Sequence, residues 1–498
     1  MIETLMYWLP LATVLVSALA GTLIFLLGEQ RQFSRTVINL SAAVLKLLLV
    51  GLIGLLVFSG RTPEFRVALL PGLDLVLRAD ALSMLFATLS AVLWLVTTVY
   101  AIAYLERSPN RARFFGFFSL CVASTMGVAM AGNLLTFFIF YELLTLSTWP
   151  LVVHTGTAQA IASGRTYLRY TLSGSALFLV GLIWLYGLTG SQDFIAGGNL
   201  GEFLALNENA LRIIFVLLVI GMGVKAALAP LHSWLPQAMV APAPVSALLH
   251  AVAVVKAGAF GLVRLVEDVY GFELTHQLGV ALPLAVLASF TILYGSMLAL
   301  RQTDIKKRLA YSTVSQVSYI TLGVAIGGPV ATIGGLVHLV HQGLMKITLF
   351  FCAGIFAKLL GIKSIDQLNG VGRKLPWTSA CFTVGALGMI GLPPVAGFIS
   401  KWYLGAGAIA AGQHWVLAVL VASTLLNAAY FLPVIRRIWL SPAPARWPAE
   451  PQLRTIEKRA MIGSAVLTAL FSLGVGVLAG HPLSPLSWVT GIVTEYFP

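Results

Sequence analysis

Apolar stretches of roughly twenty residues recur from one end of this chain to the other. Each is long enough to cross the ~30 Å hydrocarbon core of a bilayer. They lie near 5–27, 37–58, 81–104, 113–131, 133–153, 166–189, 211–230, 244–266, 279–300, 309–327, 331–357, 377–399, 415–435 and 460–480. Backbone amides in lipid have no water to bond, so these runs must be helices, and the pattern predicts an all-α, polytopic membrane protein of about 14 spans. The first run, from near Leu5 to Leu27, carries neither a basic leader nor a small-residue cleavage site. It reads as a retained span, not a signal peptide.

Composition sharpens this. Of 498 residues, 58% are hydrophobic and 10% charged, where a soluble domain carries roughly 25% charged. The three cysteines, Cys121, Cys352 and Cys381, sit in apolar surroundings without CxxC spacing, which argues against disulfides and zinc. The net charge of +13 sits in loops, with no soluble basic run interleaved with aromatics, so no nucleic-acid partner is expected. Loops after odd-numbered spans hold 21 Lys and Arg, those after even-numbered spans only five: Arg61, Arg66, Arg78, Arg212 and Arg264. The positive-inside rule then puts odd exits in the cytoplasm and both termini outside, as expected of a multi-pass protein of the bacterial inner membrane. The outer loops collect acids instead: Asp193, Glu202, Glu208, Glu267, Asp268 and Glu273.

Six charges remain inside spans: Lys46, Glu142, Lys225, Lys256, Lys346 and Lys401. A charge at the bilayer centre costs several kcal/mol and marks a functional position by default. Glu142 interrupts the aromatic and aliphatic run NLLTFFIFYELLTLSTWPLVV; it is either an ion-path carboxylate or half of a packing ion pair. Lys225 precedes Pro230 and Pro236 in GVKAALAPLHSWLP, with His232 between them. Prolines break helices, and broken helices at membrane depth line polar cavities. His232 could pass protons or merely cap the break. His250 and Lys256 share one run and would lie about 120° apart on a continuous helix, a geometry suited to a relay and not to a shared metal. In HLVHQGLMKITLFF, His338 falls between His341 and Lys346 within an arc of about 140°. No carboxylate or cysteine stands near to complete a metal site. Lys401 follows a second break at Pro393 and Pro394 in GLPPVAGFISKW. Two stretches, roughly 113–266 and 279–435, thus each pair a broken helix with a lysine, the pointer to a transporter core. Lys46 has neither histidine nor proline nearby and is expected to snorkel to the cytoplasmic side or face a partner subunit.

The strings FFIFYELLTLSTWPLV, VKAALAPLHSWLPQAMVAPAPVSALLHAVAVVKAGAFGLVR, TDIKKRLAYSTVSQ, HLVHQGLMKITLFFCAG and GLPPVAGFISKW resemble the proton-conducting antiporter-like subunits. That family includes membrane-arm subunits of respiratory complex I, subunits of Mrp-type cation/proton antiporters and membrane-bound hydrogenases. The resemblance covers nearly the whole chain. It implies fourteen core helices with two inverted five-helix repeats: helices 1–3 in 1–110, the first repeat in 111–270, the second in 271–445, and a last helix and tail in 446–498. It makes Glu142 the fifth-helix glutamate, Lys225 its partner on a broken seventh helix, and Lys256 the central lysine. His338, His341 and Lys346 become the eleventh-helix relay and Lys401 the terminal lysine. Protonation of Lys256 would then alter the Glu142–Lys225 pair and drive charge laterally toward Lys401.

Lysine at position 401 and the absence of a long lateral C-terminal helix look most like the D subunit of an Mrp-type Na+(K+)/H+ antiporter, or its hydrogenase counterpart. The implied partners are further membrane subunits, protons and Na+. A redox-driven proton pump and an inorganic-carbon uptake complex stay open; a pure scaffold would need no intramembrane charge. No nucleotide loop, flavin site or cysteine cluster is present, so no cofactor, metal or catalytic residue is expected of this chain, and redox chemistry would belong to its partners.

Overall fold

The computed structural model describes residues 2–190, 193–447 and 454–497. Helices dominate, in chain order α1 Ile2–Leu27, α2 Gln32–Phe58, α3 Ala81–Tyr104, α4 Arg111–Ala129, α5 Leu134–Val152, α6 Ala158–Thr189 and α7 Leu204–Ala226. There follow α8 Trp234–Gln237, α9 Ala243–Ala251, α10 Val254–Arg264, α11 Phe272–Gln277, α12 Ala281–Leu300, α13 Ile305–Ile326 and α14 Pro329–Leu360. The chain closes with α15 Val371–Lys374, α16 Pro376–Ile390, α17 Ala396–Ala410, α18 Trp415–Leu440, α19 Thr455–Val477 and α20 Pro485–Tyr496. Thirteen stretches are long and apolar enough to span a bilayer among the described residues. A fourteenth is split into α16 and α17, each of 15 residues and too short to span alone. The apolar runs therefore predict the spans correctly.

Both breaks fall at the prolines. After α7 the chain leaves the helix at Ala227, held at φ 57, and passes Pro230 before α8 resumes. Between α16 and α17 the turn is made by Gly391, at φ 93, with Pro393 and Pro394 following. A Cβ on Gly391 would meet the Lys401 side chain at 2.7 Å, so glycine supplies both the left-handed turn and the room for that lysine. A third interruption has no proline. The eighth span is continuous only in outline: α9 ends at Ala251, Val252 and Ala253 leave helical geometry, α10 starts afresh, and Leu265–Tyr270 is π-helical. The 120° helical angle between His250 and Lys256 consequently does not apply, because a break lies between them.

One element is not helical. β1 Glu64–Leu70 and β2 Leu73–Arg78 form an antiparallel hairpin, pairing Phe65 with Leu77 and Val67 with Leu75. It organises one face of the bundle. Gly132 N bonds Val76 O (2.8 Å), Phe194 N bonds Gly132 O (2.9 Å), and Ile195 N bonds Asp268 O (3.1 Å). All these segments follow even-numbered spans. On the opposite, basic face Arg111 N reaches Glu29 (2.9 Å), Arg113 reaches His154 O (2.8 Å), and Gly370 N bonds Arg437 O (2.9 Å). These follow odd-numbered spans, so the parity drawn from the loop charges is kept by the contacts.

Two loop assignments need correction. Arg264, Glu267 and Asp268 are not outer-loop residues: all three are buried at the end of the eighth span. Arg264 bonds both oxygens of Asp80 (2.8 Å) and Asp268 (2.7 Å), and Thr332 donates to Glu267 (3.1 Å). Arg264 pairs with Asp80 and Asp268, which is why those charges tolerate burial. Lys46 neither snorkels nor faces outward: it is wholly buried, bonded to Ser17 of α1 and 4.7 Å from the Trp94 ring centroid.

The eighth span is entirely buried, and α13 and α14 nearly so, whereas α2, α6, α18 and α19 present much of their surface outward. The central helices are those that carry Lys256, His338, His341 and Lys346. They meet α7 closely: a Cβ on Gly258 would stand 2.1 Å from the Ala226 backbone nitrogen. Backbone cannot yield as a side chain does, so Gly258→Ala should cost about 1–3 kcal/mol and lower the melting temperature of the purified protein in detergent. An unchanged melting temperature would show slack at this crossing.

In the hairpin, burial pushes the Glu64 carboxyl up, but hydrogen bonds from Arg78 and Arg66 outweigh it and hold the group below its ordinary value. Its contribution to stability is present above the unfolded pKa near ~4.3 and lost as pH falls through the lower folded value. Proteolytic resistance of the hairpin should accordingly drop on acidification below about pH 4, and a Glu64→Gln variant should lack that step.

Candidate functional site

Glu142 and Lys225 do meet, but loosely. Their closest approach is 3.7 Å. The ammonium is held more tightly by the Tyr141 carbonyl, which accepts from it, and by the Tyr141 ring, whose centroid lies 3.2 Å away. Tyr141 is fixed in turn by donating to Gly221 O (2.9 Å) on α7. Ser175 of α6 donates to Glu142 Oε1. The two partners differ in setting: Lys225 is fully buried, while the Glu142 side chain is 20% exposed. Glu142 is flanked by Leu143 and Leu146, both turned outward. Glu142 thus lies at mid-span on the rim of the bundle.

Lys256 stands in the first turn of α10, just past the break, and donates to Leu339 O (2.7 Å) of α14. His338 is adjoined by two cations: Lys256 bonds the carbonyl of the next residue, Leu339, and Ser400, which His338 meets, precedes Lys401. The His338 Nδ1 is 2.7 Å from Ser400 Oγ and its Nε2 has no partner. Lys256 also acts on His341, whose ring nitrogens lack side-chain partners. Lys401 reaches back across the second break to the last carbonyls of α16, Met389 O (3.2 Å) and Ile390 O (2.7 Å), and to Thr424 Oγ1 (3.2 Å). An ammonium there satisfies carbonyls that the broken helix leaves free and sits at its negative dipole end.

Lys346 takes another direction. It donates to Ser312 Oγ (2.7 Å) and Leu309 O (3.2 Å), and with Lys306 it acts on His250. His250 packs on the Phe350 ring, 4.6 Å between centroids, with both ring nitrogens unpartnered. His232 lies in the first break against Tyr294 and Tyr311, and its Nδ1 is likewise unpartnered. The structure therefore joins Lys256, His341, His338 and Lys401 as neighbours and sets Lys346 and His250 on a side branch.

Sequence reasoning missed what links them. Tyr430 OH donates to Ser312 Oγ (2.8 Å) and also contacts Asn427, Asn427 donates to Ser423 Oγ (3.3 Å), and Tyr319 OH donates to the same Ser423 Oγ (2.7 Å). The Tyr319 ring lies 5.2 Å from that of His338 and 5.6 Å from Lys401 Nζ. A carboxamide does not hand on protons as a hydroxyl does, so this chain orients its two ends and does not conduct between them. Lys306, counted from sequence as a loop cation, bonds Ala241 O (2.6 Å) at the start of α13. Its only signal was its place in TDIKKRLAYSTVSQ.

Buried imidazoles and hydroxyls without partners are expected to hold water. Water among buried histidines and lysines is a medium for moving protons. No group of three or more His, Cys, Asp or Glu that could hold a metal occurs among the described residues. A multi-pass bundle with cations at two helix breaks and a histidine line between them defines an ion-translocating membrane subunit.

Residues 131–427 match the family described as NADH:quinone oxidoreductase/Mrp antiporter, TM, and residues 72–115 match NADH-Ubiquinone oxidoreductase (complex I), chain 5 N-terminus. The chain belongs to this family of proton-translocating, antiporter-like subunits. It is 36% identical to the N subunit of the NADH-quinone oxidoreductase of Desulforudis audaxviator, across 82% of this chain and 81% of that one. It is 31% identical to a probable K(+)/H(+) antiporter component of Rhizobium meliloti, across 86% of this chain but only 43% of the longer relative. The D subunit of the Na(+)/H(+) antiporter of Bacillus subtilis is 28% identical across 71% of each. Among solved structures, a chain of the Mrp complex from Dietzia sp. DQ12-45-1b superposes with a TM-score of 0.81 at 24% identity, covering 100% of this chain and 98% of that one. That likeness shows the fold.

The loose Glu142–Lys225 contact gives a direct test. Removing one partner leaves the other's charge at membrane depth, a loss of about 3–5 kcal/mol. Glu142→Ala and Lys225→Ala should each abolish coupled transport in vesicles while the protein remains in the membrane. Wild-type transport in either would end the ion-pair role.

Proposed function

We propose that this chain translocates protons within a multi-subunit membrane complex, along Glu142, Lys225, Lys256, His341, His338 and Lys401. Lys256 on the Leu339 carbonyl, next to His338, and His338 on Ser400, next to Lys401, carry this reading. Lys225 shares its site with the rim carboxylate; Lys256 is the switch; Lys401, seated on free carbonyls, is the terminal store. Lys346 and His250 serve as a side branch, and His232 serves at the first helix break, beside Tyr294 and Tyr311. The stretches 111–270 and 271–445 act as two half-units, each with its broken helix. Glu142 at the rim supports a neighbouring protein there, because a carboxylate facing hydrocarbon is strongly disfavoured.

The coverage of both chains by the match to the oxidoreductase N subunit favours a redox-driven complex, whose redox centres reside on other subunits. Na+ or K+ coupled antiport is the second reading, supported by the matches to K(+)/H(+) and Na(+)/H(+) antiporter components. Vesicles of the intact complex separate the two. Acidification driven by an electron donor and indifferent to Na+ and K+ fits the redox pump; a pH gradient dissipated by Na+ or K+ without electron flow fits the antiporter.

The basic-face excess supports a bacterial inner-membrane setting with the 301–308 loop in the cytoplasm and both termini outside. Labelling of a cysteine introduced in that loop by an impermeant reagent from the outside would refute this orientation.

A lysine can give up its proton inside a protein, whereas arginine stays charged. Lys256→Arg should therefore assemble normally and fail to transport. Near-normal transport would show that a fixed positive charge suffices, and the switch would be lost.

A further inference from the structure

Outside the line just described, one buried cation is unexplained. Lys46 of α2 is wholly buried between α1 and α3. An ammonium has three N–H donors, and the partners seen here are the Ser17 hydroxyl and the Trp94 ring. No charged group acts on it. A lone cation in hydrocarbon is among the most costly groups a bundle can hold, and a leucine or methionine would pack as well.

The facing helix supplies the second observation. Ser90, Trp94 and Thr98 of α3 are four residues apart and so fall within an arc of about 80°. Ser90 Oγ, Trp94 Nε1 and Thr98 Oγ1 are all buried and all without a hydrogen-bond partner. Three successive orphan polar atoms on one strip, beside an under-solvated ammonium, match a file of water.

The file has a direction. The helices are antiparallel, with Gly54 beside Met84 and Lys46 beside Trp94. That register sets the small Ala42 opposite Thr98. Toward the basic face, the buried side of α2 continues with Asn39, which donates to Arg35 O (2.9 Å), and then Arg35, which donates to Glu29 O (3.3 Å). Toward the hairpin face, the buried side of α2 is apolar, with Val50 and Ile53, and the buried Ser83 of α3 is already bonded, accepting from Arg264 (2.8 Å) and donating to Arg78 O (3.2 Å). The unpartnered strip therefore continues only toward the basic face.

We propose that Lys46 is a second proton-binding site, fed from the basic face by a blind file of water between α2 and α3 that passes Asn39 and Thr98 and ends at Ser90.

Cysteine scanning tests the water and replacement of Lys46 tests the proton. In the intact complex, with Cys121, Cys352 and Cys381 changed to serine, Thr98→Cys should react with N-ethylmaleimide, which needs a hydrated thiolate. Met84→Cys, at the dry end, should not. An unreactive Thr98→Cys, or equal reaction at both positions, would overturn the file. This readout measures water and stands apart from any transport assay. Lys46→Met should reach the membrane in normal amount and melt no lower than wild type, since it removes an uncompensated charge, yet lose proton transport. Lys46→Arg should lose it as well. Normal transport in Lys46→Met would make Lys46 a packing residue and overturn the site.

Discussion

An ammonium ion can remain in the low-dielectric middle of this bundle only where oxygen atoms are free to meet it, and here they come from hydroxyls and from backbone carbonyls. An unbroken helix spends its carbonyls on its own amides; a broken one releases the last few. Lys401 occupies two carbonyls released at the end of α16. Lys225 has the Tyr141 carbonyl and ring, and Lys256 the Leu339 carbonyl. Only Lys401 draws on a break; Tyr141 and Leu339 lie inside the continuous helices α5 and α14, whose carbonyls accept from a lysine in addition to their own helix.

Helix ends also sort the lysines by how welcome their charge is. Lys401 lies against the negative end of α16, which favours the charged form. Lys256 lies in the first turn of α10, where the dipole opposes it. The break at Val252 and Ala253 creates that first turn; on a continuous helix the effect would vanish. Lys256 and Lys401 are thus placed in opposite helix-dipole fields by backbone geometry alone.

The spans, their parity, both proline breaks and every charged member of the line could be read from residues, because a bilayer makes apolar length and intramembrane charge unambiguous. What escaped was whatever the sequence does not punctuate. The break inside HAVAVVKAG has only alanine and valine at its hinge, and the hairpin from Glu64 to Arg78 alternates too weakly to stand out beside the spans. Lys46 was misjudged because its neighbours, Ser17 and Trp94, come from other helices. Arg264, Glu267 and Asp268 were misjudged because a π-helical end carries the span further than hydropathy suggests. The helical wheel orders His338, His341 and Lys346 on α14, but it could not show the neighbours brought by other helices, Ser400 beside His338 and Lys256 on the Leu339 carbonyl.

Exposure separates the two ends of the line. Lys225, Lys256 and Lys346 are enclosed by the chain itself, so their surroundings are set once the bundle folds. Glu142 is not enclosed, and its outward neighbours are leucines. A carboxylate held by one serine hydroxyl and a lysine at 3.7 Å has a field that depends on whatever lies across the rim. On the proposed reading, this is where an adjoining protein can act on the line without touching its interior: a cation brought near Glu142 competes with Lys225 for the carboxylate, leaving the lysine to the Tyr141 carbonyl and ring. The looseness of that contact is then a requirement, since a tight, fully buried pair would ignore its neighbour.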